Sequence, residues 1–277
     1  NKLEEAITDR TKVLVVTHAW GLPADMDPIV EIAHSHGILV IEDCAHAILA
    51  TYKGRFAGSL GDIGSFSFQA SKQMSLGDGG IATTDDGELA KKLDLHAGAP
   101  TFHSIGHGLH YNYRMNELTS AVGVAQLERI AQVIEGLKGN AKYYDEAVSG
   151  CKWLRPQRAV YADSSYHFWA ATFEGERHGI GLEEFKTAAS KSGLSANIGY
   201  TQMPAYEHPV IKNRLAHVFH CNGVAQGIEY PAGLCPVAER VIPRTVIIYT
   251  LQPQEGARSD AEKLRQVIQD LEKGGSS

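Results

Sequence analysis

The sequence predicts an α/β protein: a large domain on a mixed, mainly parallel sheet, followed by a smaller C-terminal α/β domain. Three observations carry this. Lys12 to Thr17 (KVLVVT) and Ile38 to Ile41 (ILVI) are short apolar runs of the kind that form strands buried on both faces. Between them, Asp27 to His36 places Ile29, Ile32 and Ala33 at helical spacing and stops at Gly37. Strand, helix and strand in that order make a βαβ unit, with parallel strands and a right-handed crossover.

The later elements follow in order. Gly64 to Phe68 (GSFSF) reads as a strand, Gln69 to Lys72 as a polar turn, and Gly79 to Thr84 (GGIATT) as a strand entered through glycines. Glu88 to Leu95 is helical. His96 to Arg114 is a loop rich in glycine and histidine. From Asn116 a long helical pattern runs towards Ala147, with Gly136 to Asn140 as a break, and the domain boundary falls near Gly150. Residues 1–150 then form the large domain and 151–277 the small one. In the latter, Tyr166 to Phe173 and Arg244 to Leu251 are strand-like, while Gly181 to Gly193 and Asp260 to Leu271 are amphipathic helices.

The chain has 277 residues, 43% hydrophobic and 21% charged, which suffices to bury a full core. Its formal net charge of −6 gives no electrostatic footprint for nucleic acid. The apolar runs are too short to cross a bilayer, and no charged-then-apolar leader opens the sequence. Cys44, Cys151, Cys221 and Cys235 are widely spaced and read as reduced thiols of a cytoplasmic protein. His103, His107 and His110 are close together but lack a matching thiolate or carboxylate, so they read as a polar loop and no metal is expected.

Two residues draw chemical interest. Asp43 sits where a buried strand meets its turn, the end at which open α/β sheets bind ligands. Alone it reads first as a helix cap, and only second as the partner of a cationic group. Lys72 lies in a turn among small and polar residues. It is either a solvated surface lysine or an amine whose pKa a partly buried site lowers.

The combination is more telling. Glu42-Asp43-Cys44-Ala45-His46-Ala47 is followed by Gly61-Asp62-Ile63-Gly64-Ser65-Phe66-Ser67-Phe68-Gln69-Ala70-Ser71-Lys72, then Gly77-Asp78-Gly79-Gly80, then Asn112-Tyr113-Arg114-Met115-Asn116-Glu117 and Gln126-Leu127. In order and spacing this resembles the DegT/StrS family of aminotransferases dependent on pyridoxal 5'-phosphate (PLP), which act on keto sugars and cyclitols. The likeness runs strongly from Thr11 to Leu127; Cys235 to Arg240 is its best later echo. It implies PLP fold type I and assigns roles by position. Lys72 is the Schiff-base lysine and proton shuttle. Asp43 keeps the pyridine nitrogen protonated. His46, often glutamine in the family, contacts the ring or its 3-oxygen. Ser67 binds the phosphate. Asn112 reaches the phosphate of a neighbouring subunit, which implies a homodimer with shared active sites.

The implied reaction moves an amino group from glutamate or glutamine to a nucleotide-linked keto sugar or a cyclitol ketone. Family members that perform dehydration carry histidine in place of the lysine, so Lys72 favours transamination; a PLP-dependent sugar dehydratase and a catalytically inactive PLP-fold regulatory subunit are the competing readings. Two features depart from the pattern. No Gly-Ser/Thr phosphate turn at a helix N-terminus precedes Asp43, so the N-terminal part of the large domain is expected to be missing. Leu49 stands where the family often has glycine.

Overall fold

The computed structural model describes residues 2–98, 112–213 and 229–274. In chain order the chain forms α1 (Leu3–Ala6), β1 (Val13–Thr17), α2 (Met26–Ser35), β2 (Leu39–Asp43), β3 (Thr51–Tyr52), β4 (Arg55–Phe56), β5 (Ile63–Ser67) and β6 (Gly80–Thr83). Then follow α3 (Gly87–Ala97), α4 (Glu117–Leu127), α5 (Ile130–Ala147), β7 (Leu154–Pro156), β8 (Ala162–Asp163) and β9 (Phe168–Phe173). The chain continues through α6 (Leu182–Ser192), β10 (Ala196–Ile198), α7 (Pro209–Lys212), α8 (Pro236–Val241), β11 (Thr245–Tyr249) and α9 (Gln254–Gly274). His103, His107, His110 and Cys221 lie outside the described residues.

These elements belong to two compact units, Asn1–Lys142 with Arg158–Phe168 and Thr250–Gln254, and Tyr143–Gln157 with Trp169–Tyr249 and Glu255–Ser277. The chain leaves the first unit inside α5 and returns to it twice. Both returns prove to matter for the candidate site.

The first unit is built on a mixed sheet of order β1-β2-β5-β6. β1, β2 and β5 run parallel, and β6 is antiparallel to β5. The βαβ reading of the sequence therefore holds. α2 stops where expected, with Gly37 in the left-handed region (φ 66°) just past its end. α3 and α4 start on side-chain caps: Asp86 accepts from the backbone N–H of Glu88 and Leu89, and Asn116 from that of Thr119.

The long helix predicted from Asn116 to Ala147 breaks at Glu128 and Arg129, not at Gly136 to Asn140. The glycines run unbroken through α5. Asn140, which reads as a breaker, is instead buried and donates to the carbonyls of Thr250 and Gln252 at 2.9 Å. A side chain with two backbone acceptors has no reason to compete with the helix for them. The second unit carries a sheet of order β10-β11-β9-β7. Its core includes Trp153, Phe173 and Phe185, whose rings meet at 5.3 to 5.7 Å between centroids.

The two faces of the first unit's sheet differ. Val16, Ile38 and Val40 are buried with Met26 and Ala33 of α2, and with Tyr52 and Leu60. On the opposite face Val13, Val15 and Leu39 are exposed. The register aligns Val13 with Leu39, Val15 with Ile41 and Ile63, and Thr17 with Asp43 and Ser65. One face thus grades from apolar residues to polar ones at the carboxyl ends of the strands. The stability test is direct. Met26→Ala is expected to lower unfolding free energy by about 2–5 kcal/mol, and Val15→Thr to change it by no more than about 0.5 kcal/mol, read from urea midpoints at constant slope.

Candidate active site

Successive side chains of a strand point to opposite faces, and at the end of β2 this separates two carboxylates. Glu42 points inward and is fully buried. It accepts hydrogen bonds from the backbone N–H of Gly58 (2.9 Å), Leu60 (2.6 Å) and Gly61 (2.8 Å), and it pairs with His18 Nε2 at 2.9 Å. The Nδ1 of His18 accepts from Ala24 N–H at 3.1 Å, which leaves the proton on Nε2 to be donated to Glu42. Burial pushes the Glu42 carboxyl upward, but His18 and the three N–H groups outweigh it and hold it below the usual carboxylate range. His18, Glu42 and Cys44 lie close enough together to suggest a metal cage. The polar valences of His18 and Glu42 are already met by these bonds, so the cluster is a structural latch. Burial, with Glu42 and Asp43 nearby, pushes the Cys44 thiol far up, so it stays protonated.

Asp43 points the other way, onto the sheet face that is open. Its Oδ1 accepts from Ala45 N–H at 3.0 Å and its Oδ2 from the Thr17 hydroxyl at 3.4 Å. Its backbone is held on both sides: the carbonyl accepts from His18 N–H at 3.1 Å, and the next residue, Cys44, donates to the Ser65 carbonyl at 2.8 Å.

Lys72 closes the turn after β5. Its N–H donates to the Gln69 carbonyl at 2.9 Å, and the Gln69 side chain accepts from both the N–H and the hydroxyl of Ser71. Partial burial lowers the Lys72 pKa, and the charge of Asp43 opposes that shift. His46, in the turn after β2, is pushed down to about 4 by burial and by Lys72, with Asp43 working against them. Asp43, His46 and Lys72 therefore lie within electrostatic reach of one another. Ser67 ends β5, in register with Gly80, and accepts from Gln69 N–H at 3.3 Å. Asn112 accepts from Arg114 Nε at 3.1 Å and lines a cavity of ≈ 620 Å³ with Ser65, Asp78, Gly79 and Arg114.

Glu42 and His18 are not among the candidate site residues that the sequence singles out. The signal was there: a glutamate ending an apolar run needs buried donors, and Gly58 to Gly61 supply them as backbone N–H groups. Gly58 and Gly64 must be glycine here, since a Cβ on either would come within 2.4 to 2.6 Å of its neighbours. Leu49, where glycine was expected, adopts φ 57°, the left-handed conformation that favours glycine.

The sequence pattern of the DegT/DnrJ/EryC1/StrS aminotransferase family matches residues 1–246. GDP-perosamine synthase of Caulobacter vibrioides is 37% identical over 76% of this chain and 56% of its own length. L-glutamine:2-deoxy-scyllo-inosose aminotransferase of Streptomyces paromomycinus is 30% identical over 89% of this chain and 62% of its own. This chain thus spans about three-fifths of the curated relatives it matches. Among solved structures, a sugar-aminotransferase candidate of Streptococcus pneumoniae in its PLP form superposes with a TM-score of 0.75 at 23% identity, covering 97% of this chain and 71% of that one. That likeness shows a shared fold. No described helix is long and apolar enough to cross a membrane.

Two outcomes test the site's electrostatics. Because Glu42 titrates lower when folded, its contribution is complete above its ordinary pKa near 4.5 and is lost as pH falls through the lower folded value. Glu42→Gln should cost roughly 2–3 kcal/mol at pH 7, and the gap to the wild type should narrow below pH 4.5, seen in melts across pH. Asp43→Asn removes the charge that favours protonated Lys72, so the pKa of Lys72 should fall further. Labelling of Lys72 by an amine-selective reagent should then begin at a lower pH than in the wild type.

Proposed function

Because the chain belongs to the DegT/DnrJ/EryC1/StrS aminotransferase family, we propose that Asp43 and Lys72 are the core of a PLP-dependent aminotransferase site. The observation that carries the reading is the placement of Lys72. It is an amine with a lowered pKa, within reach of a carboxylate at the carboxyl end of a parallel strand. The donor set fits PLP: a carboxylate for a cationic ring nitrogen, an amine for the carbonyl carbon, and a hydroxyl and an amide for the phosphate. When bound, PLP supplies an electron sink and carries the amino group between two substrates.

The chain's own residues do the rest. Asp43, kept from swinging by Ala45 N–H and Thr17, holds the ring nitrogen protonated. Lys72, with its proton already easier to lose, would hold the cofactor through its carbonyl carbon, with loss of water, and would supply the general base that moves a proton at the substrate carbon. His46 is uncharged at neutral pH and offers a ring nitrogen to the cofactor's ring hydroxyl. Ser67 binds the phosphate, and Asn112 binds that of a second subunit in a homodimer. Glutamate or glutamine donates the amino group; a nucleotide-linked keto sugar or a cyclitol ketone accepts it. The named activities of the two relatives support that substrate class. The wide spacing of the four cysteines along the sequence supports a cytoplasmic setting.

Incubation with PLP, borohydride reduction and peptide mapping test the reading. A pyridoxyl mass is expected on the Lys72 peptide and is expected to vanish in Lys72→Ala, with amino transfer reduced on the order of 10²–10⁴-fold. A label on another lysine would overturn the assignment.

A further inference from the structure

The chain re-enters the first unit at Arg158–Phe168, and there Ser165 is tied to the turns after β1, β2 and β5. Gln73, the neighbour of Lys72, donates from its buried amide to the carbonyl and hydroxyl of Ser165 at 3.1 and 3.0 Å. The Ser165 hydroxyl donates to the His46 carbonyl at 3.1 Å, and Ser165 N–H donates to the Gly21 carbonyl at 3.0 Å. Thr250, on the second return, donates to the His167 carbonyl at 3.1 Å. Gly21 sits at φ 102°, so close that a Cβ there would lie 2.8 Å from Tyr166 N, 2.9 Å from His167 N and 3.0 Å from the His46 carbonyl oxygen.

This clamp sets His167 against His46. Their imidazoles stack with centroids 4.3 Å apart and planes 23° from parallel. Trp20 stacks with His46 as well, at 5.6 Å and 15°. Phe168 meets all three rings edge-on, at 4.3 to 6.0 Å. His167 is 3% exposed, and its Nδ1 has no hydrogen-bond partner among the described residues. Packing of ring faces, and not a hydrogen bond at that nitrogen, therefore sets its orientation. The torsion that turns an imidazole about its stem is soft, so a ring meant to present one edge must be held by its faces.

We infer that His167 is a positioning residue for the site: its imidazole, stacked on that of His46, fixes the plane in which His46 presents its ring nitrogens beside Lys72 and Asp43. The role rests on the reading of Lys72 and Asp43 as the PLP cradle. The electrostatics agree with it. Burial, then His46, then Lys72 push His167 down to about 3, so the stack carries no charge at neutral pH and its rings do not repel. Among the described groups, Lys72 and Asp43 are the charges that act on this pair.

Side-chain carbon relaxation in ¹³C-histidine-labelled protein tests the inference without cofactor, and fluorescence titration with PLP tests its consequence. In the wild type the His46 ring protons should be shifted upfield by their neighbours, and the ring should be ordered, with an order parameter of about 0.85. His167→Leu keeps apolar volume but removes the ring face. It should let the His46 ring move, with the parameter below about 0.6, and weaken PLP binding roughly tenfold. His167→Phe restores a ring face without the nitrogens and should rescue both. The inference is overturned if the wild-type His46 ring is unshifted or mobile, if folded His167→Leu matches the wild type in both readouts, or if His167→Phe fails to rescue. Should PLP not bind the wild type, the functional reading fails, and the relaxation data alone decide whether His167 orders His46.

Discussion

The carboxylate of Glu42 accepts four hydrogen bonds at the buried end of β2, and the surrounding geometry depends on them. Three come from one loop, Gly58 to Gly61, and one from His18, at the start of the turn after β1. A single side chain thereby fastens two connections to the end of the central parallel strand. An unpaired carboxylate in that position would be very costly, so loop and turn cannot drift from β2 without exposing that cost. The neighbouring residue inherits the rigidity. Asp43 is one position further along the same strand, with its carbonyl bonded to His18 and its successor bonded to Ser65. The inward carboxylate is structural, and it leaves the outward one little freedom.

The same logic extends to the aromatic stack. His18 N–H fixes the end of β1 on the Asp43 carbonyl, and the turn that follows carries Trp20 and Gly21. Gly21 permits backbone-to-backbone approach that no side chain could share, and Trp20, at φ 63°, is held in a conformation unfavourable for its type. Such a conformation persists only where the surroundings over-determine it. Here they do, through the Ser165 N–H on the Gly21 carbonyl and the rings of His46 and Phe168 against Trp20.

Much of this was legible in the sequence, for identifiable reasons. β1, α2 and β2 announce themselves because the strands are uninterrupted apolar runs and the helix between them needs a stop at Gly37, although the runs read as buried on both faces and the face of Val13, Val15 and Leu39 is exposed. The stretch from Asp43 to Lys72 was legible through its resemblance to a family pattern, and the charges of Asp43 and Lys72 both bear on His46. Other features were not readable, because they depend on partners distant along the chain. Nothing local to Asn140 says that Thr250 and Gln252 will offer it two carbonyls, so it read as a helix breaker. Nothing local to His167 says that it will lie on His46. Tyr166 to Phe173 looked like one strand, yet β9 begins only at Phe168, since Tyr166 (φ 49°) and His167 serve the clamp before the chain enters the sheet.

The sheet of the first unit joins these threads. On its open face the register runs from Val13 and Leu39, through Val15, Ile41 and Ile63, to Thr17, Asp43 and Ser65. Strand polarity makes that gradient meaningful. In a parallel sheet all carboxyl ends fall on one edge, so polar residues placed there converge, whereas in an antiparallel sheet they would be divided between two edges. β6 runs antiparallel and so brings its beginning, Gly80, to the edge where β5 ends at Ser67. Glycine residues at 79 and 80 let the chain between Lys72 and β6 pass close to that edge; a Cβ on Gly79 would meet Met115 at 2.6 Å, and one on Gly80 the Phe66 carbonyl at the same distance. The edge therefore gathers carboxylate, hydroxyl and tightly packed backbone from strands of both directions.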